Sequence, residues 1–396
     1  MERRYLILAG IILLMMASCA KPYTPKEITK TTNYLVVEGV INTGNNDSTL
    51  IKLSRTVPLS SGIGTTPESG ATVTIQSDNN QSYSLHETSS GTYLSDNLTL
   101  DNTRKYRLNI NTSDGKNYIS DYIAPIPTPP VDSVGFIIKS NGLQLYANTH
   151  DPNNNTHYYR WDYVETWIFT SKYFSSYMSN GVDEVQRTPE QYVYQCWGNN
   201  ISNDIILGSS VRLTKDVISQ QPITFVEPTS EKLETRYSIL VKQYALNKDG
   251  YNYFDELRKN TEELGGIFDP QPSQLTGNVH CTTDAAIPAI GYITAGTIQQ
   301  KRIFIDNSQL PTTWIATYPY DCPQDTAYYV NPKTGYNDVL NYLIAPRSST
   351  SNLATTPIFA TGPPPPFPKP IAYVYSSAGC VDCTLRGTTV EPSFWK

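Results

Sequence analysis

Six cysteines and four histidines are the side chains of this 396-residue chain best suited to hold a metal or to act as nucleophile and base. His86, His150, His157 and His280 are dispersed, with no i, i+4 pair and no His-Glu-x-x-His. Helical metal ligation needs such spacing, because only residues three or four apart share a face. Cys380-Val381-Asp382-Cys383 has the spacing of half a zinc site but lacks a second pair. His280-Cys281 would complete it only if the fold brought it there, so a disulfide or two ordinary cysteines is the plainer reading. A thioredoxin-like role would need a βαβ frame that the flanks do not offer. Asp151-Pro152-Asn153-Asn154-Asn155 is rich in oxygen, yet it has neither EF-hand spacing nor a closing bidentate Glu, and it reads as an Asx turn. There is no Gly-x-Ser-x-Gly elbow and no Gly-rich phosphate loop behind a strand. Glu262-Glu263 point in different directions on a helix and read as a solvated face, so glycosidase chemistry would need two carboxylates that meet only in three dimensions. The pattern predicts no enzyme, no metal and no cofactor.

The aromatic content offers more. Along a strand from His157 to Phe169, the two-residue period puts Tyr159, Trp161, Tyr163 and Trp167 on one face. Such a face can stack on sugar rings or cover a peptide, which makes these four the candidate ligand-binding residues. The same face would also serve as the core of a second domain, and that reading carries more weight. Pro363–Pro366 reads as a solvent-exposed loop, with a pre-ordered partner contact as the alternative. Phe394-Trp395 either packs back on the body or forms a docking tail.

Several elements would position these residues. Asn33 to Ile41 reads as a first strand with a bulge at Gly39, and short alternating strands follow through Tyr118–Ile123. Seven strands in about ninety residues predict an immunoglobulin-like β-sandwich over 34–124. Ala124-Pro125-Ile126-Pro127-Thr128-Pro129-Pro130 then reads as a stiff linker over 125–133. The remainder, 134–396, is expected to be a larger β-rich domain ending in the Cys-x-x-Cys tail. It opens with a hairpin turning at Asn141-Gly142. Further strands are expected at 205–213, 236–246, 290–293 and 301–305. A helix over Tyr251–Leu264 carries a Phe254, Leu257, Thr261, Leu264 stripe and an Asp255/Lys259 pair, with a stop at Gly265-Gly266. A second, short helix is expected over 334–344.

The first residues state an address. Glu2-Arg3-Arg4, an apolar run from Leu6 to Met16 and Met16-Ala17-Ser18-Cys19 form a secretory signal with a lipobox-like end. Residues 1–18 would be removed, Cys19 acylated, and 19–33 left as a polar tether. The apolar run is about twelve residues, short of the roughly 20 that span a bilayer. Cleavage beside an incidental cysteine is the other alternative. The formal net charge of −6, with no Lys/Arg cluster, argues against nucleic acid and anionic membrane surfaces. The 29 Tyr and only 17% charged residues suit an exported β-protein. With Cys19 lipidated, Cys196, Cys281, Cys322, Cys380 and Cys383 remain, so at most two disulfides form. Spacing leaves the connectivity open; Cys281 with Cys322 is the pair expected here.

Taken together, several stretches resemble the DUF4249 domain-containing lipoproteins of Bacteroidetes. They are Tyr34-Leu35-Val36-Val37-Glu38-Gly39, Gly70-Ala71, Tyr158-Tyr159-Arg160-Trp161, Gly277-Asn278-Val279, Ile290-Gly291-Tyr292 and Cys380-Val381-Asp382-Cys383 ahead of Pro392-Ser393-Phe394-Trp395. The resemblance implies an outer-membrane lipoprotein. Ala20-Lys21-Pro22-Tyr23 lacks the acidic run that often marks surface export, which leaves the leaflet open, and the cell surface is expected over the periplasmic face. The resemblance also implies a TonB-dependent (SusC-like) receptor as partner, one whose own N-terminus carries a carboxypeptidase-regulatory-like domain, and so a carboxypeptidase-regulatory-like variant of the sandwich. It supplies no catalytic residues. The expected function is a binding or accessory subunit of a TonB-dependent uptake system. A structural or adhesive envelope lipoprotein and a hydrolase with a site in the second domain are the alternatives.

Overall fold

The computed structural model describes residues 33–57, 64–262, 275–344, 355–362 and 370–395. The signal segment, Cys19, the tether up to residue 32, the helix stop at Gly265-Gly266 and the Pro363–Pro368 run lie outside the described residues. Among the described residues no helix is long and apolar enough to cross a membrane.

The fold is mostly β. In the N-terminal unit, β1 (Leu35–Asn42), β2 (Leu50–Arg55), β3 (Thr72–Ser77), β4 (Ser82–Ser89), β5 (Thr92–Ser95), β6 (Tyr106–Asn111) and β7 (Asn117–Ser120) are antiparallel neighbours on one hydrogen-bonded path. Alternation fixes which side chains point inward: Val73 and Ile75 of β3, and Tyr106, Leu108 and Ile110 of β6, are buried while their neighbours are not. Gly39 sits at φ +148°, where β1 leaves β2. A Cβ there would lie 2.6 Å from the Leu50 carbonyl oxygen, so only glycine allows this bend. The register runs on without a bulge from Leu35↔Arg55 to Gly39↔Ile51.

Three further strands complete this unit, and they come from far down the chain. Val279–Cys281 pairs with β7, while Ala289–Ile290 and Thr294–Gly296 pair in parallel with β1. A bridge between His280 and Pro288 joins the two ends of the path, so the sheet curls round onto itself. A division at residue 134 therefore assigns these strands to the wrong unit. The physical reason is that partners from so far down the chain, two of them parallel, have no local turn to announce them. Nor is 125–133 a bare linker. Ile126 N–H donates to Ala295 O at 2.9 Å, and Thr128 Oγ1 accepts from Ala245 N at 3.0 Å, tying the segment to both units.

The second unit stacks two sheets. One orders β8 (Val131–Lys139), β9 (Gly142–His150) and Val217–Val226; the hairpin turns at Ser140-Asn141, one residue before the expected pair. The other orders Gln195–Ile201, the 13-residue strand Tyr158–Thr170, Arg236–Ala245 and Gln299–Asp306, with Ile206–Ser209 beside the start of Tyr158–Thr170. A helix over Lys248–Glu262 follows, starting three residues earlier than the stripe suggested because Asn247 Oδ1 accepts the Gly250 N–H at 2.7 Å. Phe254 and Leu257 pack inward, and Asp255 pairs with Lys259 at 2.6 Å, whereas Thr261 is exposed. The chain ends in a small sheet of Asp325–Tyr328, Ala372–Ser377 and Thr355–Thr361, with one helical turn at Leu340–Ile344.

The disulfides are Cys196–Cys383 and Cys322–Cys380. This corrects the expected Cys281–Cys322 pair. Cys281 lies on a strand of the curled sheet, buried and free, while Cys322 lies beside the C-terminal sheet. The two cysteines of the Cys-x-x-Cys motif thus serve different partners, stapling the tail to the central sheet and to the preceding loop. Phe394 and Trp395 pack back: Arg302 sits 3.5 Å from the Phe394 ring centroid, and Trp395 meets Trp197 and Phe304 edge-on.

Candidate functional site

The four aromatic residues singled out as a binding face are interior. Tyr159, Trp161, Tyr163 and Trp167 are all buried in the largest core cluster. Their polar ends are also satisfied from within. Tyr159 Oη donates to Asp216, Trp161 Nε1 to Gln243 Oε1 at 2.9 Å, Tyr163 Oη to Asp204 at 3.1 Å, and Trp167 Nε1 to Glu231 at 3.3 Å. Burial, and behind it the Asp216 carboxylate, pushes the Tyr159 phenol well above its usual range; burial takes Tyr163 to about 12. Glu165 lies on the same face, held by Lys232 Nζ at 2.6 Å, Tyr237 Oη at 2.7 Å and Asn200 Nδ2 at 2.9 Å. A face whose every polar handle is engaged inside has nothing left to offer a ligand.

The remaining chemistry-bearing residues are likewise structural in their contacts. Asp151 accepts the backbone N–H groups of Asn153, Asn155 and Thr156, each at 2.9 Å, so the oxygen-rich loop is an Asx turn. His150 pairs with Asp132 at 2.8 Å and His280 with Asp121 at 3.3 Å, both at the surface. Among the described residues no three His, Cys, Asp or Glu side chains gather as a metal site. One serine does meet a histidine, unseen in the sequence: His157 Nδ1 lies 3.2 Å from Ser210 Oγ, which donates to Asp216 Oδ1 at 2.5 Å. Here the serine, not the histidine, stands in the middle, and Ser210 is fully buried. The proton is held by the carboxylate, which is the wrong order for nucleophile activation.

What is open to solvent is the other face of the same strand. Arg160, Asp162 and Val164 alternate with the buried aromatics and line a cleft of about 990 Å³. Its floor continues across the sheet by register, Arg160 beside Tyr244 and Asp162 beside Lys242 beside Gln300. The curled sheet supplies the roof through Glu38, Leu50 and Lys52, with Glu38 directly opposite Lys52. Phe254 and Leu257 of the helix close one side, and Ile201 and Asp204 form a lip. The Arg160 guanidinium lies 4.6 Å from the centroids of both the Tyr244 and Phe254 rings, with Nη2 3.9 Å from Asp162 Oδ2. Burial, then the neighbouring Asp162 carboxylate, raises the Tyr244 phenol. Glu38, Lys52 and Lys242 make no ion pair among the described residues. The cleft lies where the two units meet, a usual place for a ligand. A smaller hollow of about 390 Å³ lies beside Glu231 and Lys232, but Lys232 there is already bound to Glu165.

Comparison with known proteins adds a family and little else. Three solved structures share low similarity. A DUF4785 family protein from Legionella pneumophila is 11% identical, covering 53% of this chain and 52% of its own, with a TM-score of 0.19. The Yersinia pseudotuberculosis adhesin InvE is 14% identical over 54% and 55%, with a TM-score of 0.16. A DUF3823 family protein from Bacteroides ovatus is 12% identical over 54% and 91%, with a TM-score of 0.14. This chain thus spans about half the length of the first two. No curated protein matches it. The DUF4249 pattern, a domain of unknown function, matches residues 20–302, which takes in both walls of the cleft and stops short of the C-terminal sheet. The chain belongs to the DUF4249 family.

Proposed function

We propose that this protein is a binding or accessory subunit of a TonB-dependent nutrient-uptake system, lipid-anchored at Cys19 to the outer membrane and facing the cell surface. The observation that carries the reading is the cleft between the curled sheet and the central sheet. It is of ligand size, it presents charges of both signs beside aliphatic surface, and none of its groups is arranged as a nucleophile with its base. A protein with such a cavity holds a molecule and hands it on unchanged. The receptor provides the passage, and the acyl anchor keeps the binder beside it.

The test is a gentle detergent extraction of the full-length lipidated protein from its native membrane, followed by affinity capture and mass spectrometry. Stoichiometric recovery of a TonB-dependent β-barrel supports the assignment. Recovery of the protein alone, with no barrel at any detergent strength, rejects the stable-subunit reading.

A further inference from the structure

We infer that the cleft takes a short peptide with free amino and carboxylate ends; this rests on the reading of that cleft as the ligand site. Three observations lead there. First, its uncommitted charges are of both signs and come from different walls. Lys242 rises from the central sheet, whereas Lys52 and Glu38 hang from the curled sheet. A neutral ligand would desolvate these groups without replacing their water, which costs binding energy for each one buried unpaired. A purely anionic ligand would leave Glu38 facing like charge. A zwitterion answers both.

Second, the cleft has no ring face on which a sugar can stack. The aromatic rings of its floor and side, Tyr244 and Phe254, are buried, and the Arg160 guanidinium lies over both. Of the strand's other aromatics, Tyr158 packs against Tyr251 at 5.0 Å, and Tyr159, Tyr163, Trp167 and Phe169 are buried in the core. Trp161, whose residue borders the cleft, is also fully buried there. Stacking on an open Tyr or Trp face is the main apolar contact a pyranose makes, and here it is covered. Third, the apolar surface that is available is aliphatic, in the roof and at the lip: Leu50 is 44% and Ile201 58% exposed. Aliphatic roof and lip around a charged floor suit a chain whose ends are charged and whose middle carries apolar side chains. Arg160 and Lys242 then receive the carboxylate, and Glu38 the ammonium, each by a charge-assisted hydrogen bond.

Native mass spectrometry and calorimetry of the full-length protein in detergent test this, with two tetrapeptide pools built from Ala, Leu, Ser and Lys. One pool has free ends, the other is N-acetylated and C-amidated, and cellotetraose is the neutral sugar probe. The free-ended pool should be retained, and blocking both ends should weaken binding at least tenfold, about 1.4 kcal/mol. Lys242→Met should lower affinity for the free-ended pool by a similar factor. Lys139→Met removes one charge from a hairpin that does not line the cleft and should leave affinity unchanged. Equal binding of the two pools, an equal loss in Lys139→Met, or retention of cellotetraose but of no peptide overturns the inference, and so does no retention of any probe. Recovery of the receptor in the extraction experiment is independent of these outcomes, so the ligand class can fail while the subunit assignment stands.

Discussion

Removing Lys232 should unfold this protein more readily than removing its partner Glu165, although both variants delete the same ion pair. The Glu165 side chain is 1% exposed and that of Lys232 is 26% exposed. In Glu165→Gln the lysine can turn to water, so the loss is one charge-assisted hydrogen bond, about 1–2 kcal/mol. In Lys232→Met the carboxylate stays in the core with only Tyr237 and Asn200 to hold it. Breaking a buried pair in that way costs about 3–5 kcal/mol, and the two remaining donors place it near 3. For a chain of this size that is a melting shift of roughly 4 °C. Calorimetric melting of both variants at neutral pH reads the difference. A larger loss in Glu165→Gln than in Lys232→Met would refute the asymmetry.

Two further outcomes follow from groups outside the cleft. Glu184 is buried, neither carboxylate oxygen makes a hydrogen bond of good geometry, and burial followed by the Asp183 charge lifts its pKa to about 7. A raised carboxyl favours the fold below the unfolded value and loses that contribution as pH rises through 7, so Glu184→Gln should raise folding stability at pH 8 by about 2 kcal/mol and leave it nearly unchanged at pH 4; matching stability–pH profiles for the two proteins would count against it. Non-reducing peptide mapping should recover Cys196 linked to Cys383 and Cys322 linked to Cys380, with Cys281 alkylated only after unfolding. A peptide joining Cys281 to Cys322 would contradict the arrangement of the tail.

Much of the N-terminal sheet was legible because alternation is a local signal. Thr72–Ser77 reads inward at Val73 and Ile75 from its residues alone, and it folds that way. The helix was legible by its stripe, though its start depended on Asn247, a cap that the stripe does not contain. The candidate site was not legible, for a specific reason. Period two divides Tyr158–Thr170 into two faces without saying which is inside. The partners that decide it, Asp216, Gln243, Asp204 and Glu231, lie some forty to eighty residues away in sequence. Aromatic residues drew attention to the face that proved to be interior, while the cleft is built from the plainer set, Arg160, Asp162 and Val164. Cysteine pairing was hidden likewise, since Cys196 and Cys383 are 187 residues apart.

The return of residues 279–296 to the first unit sets the order in which this chain can become native. When the ribosome has delivered only the first strands, β1 lacks its parallel neighbours and β7 its outer partner, so the nascent sheet has an open seam on both flanks. The seam closes only after the central sheet as far as Arg236–Ala245 and the helix have been made. The N-terminal unit therefore cannot be excised at the proline-rich segment as an autonomous piece, and a stalled or truncated product ending before Val279 would carry unpaired strand edges that invite aggregation. The two units are successive in space but interlocked in time.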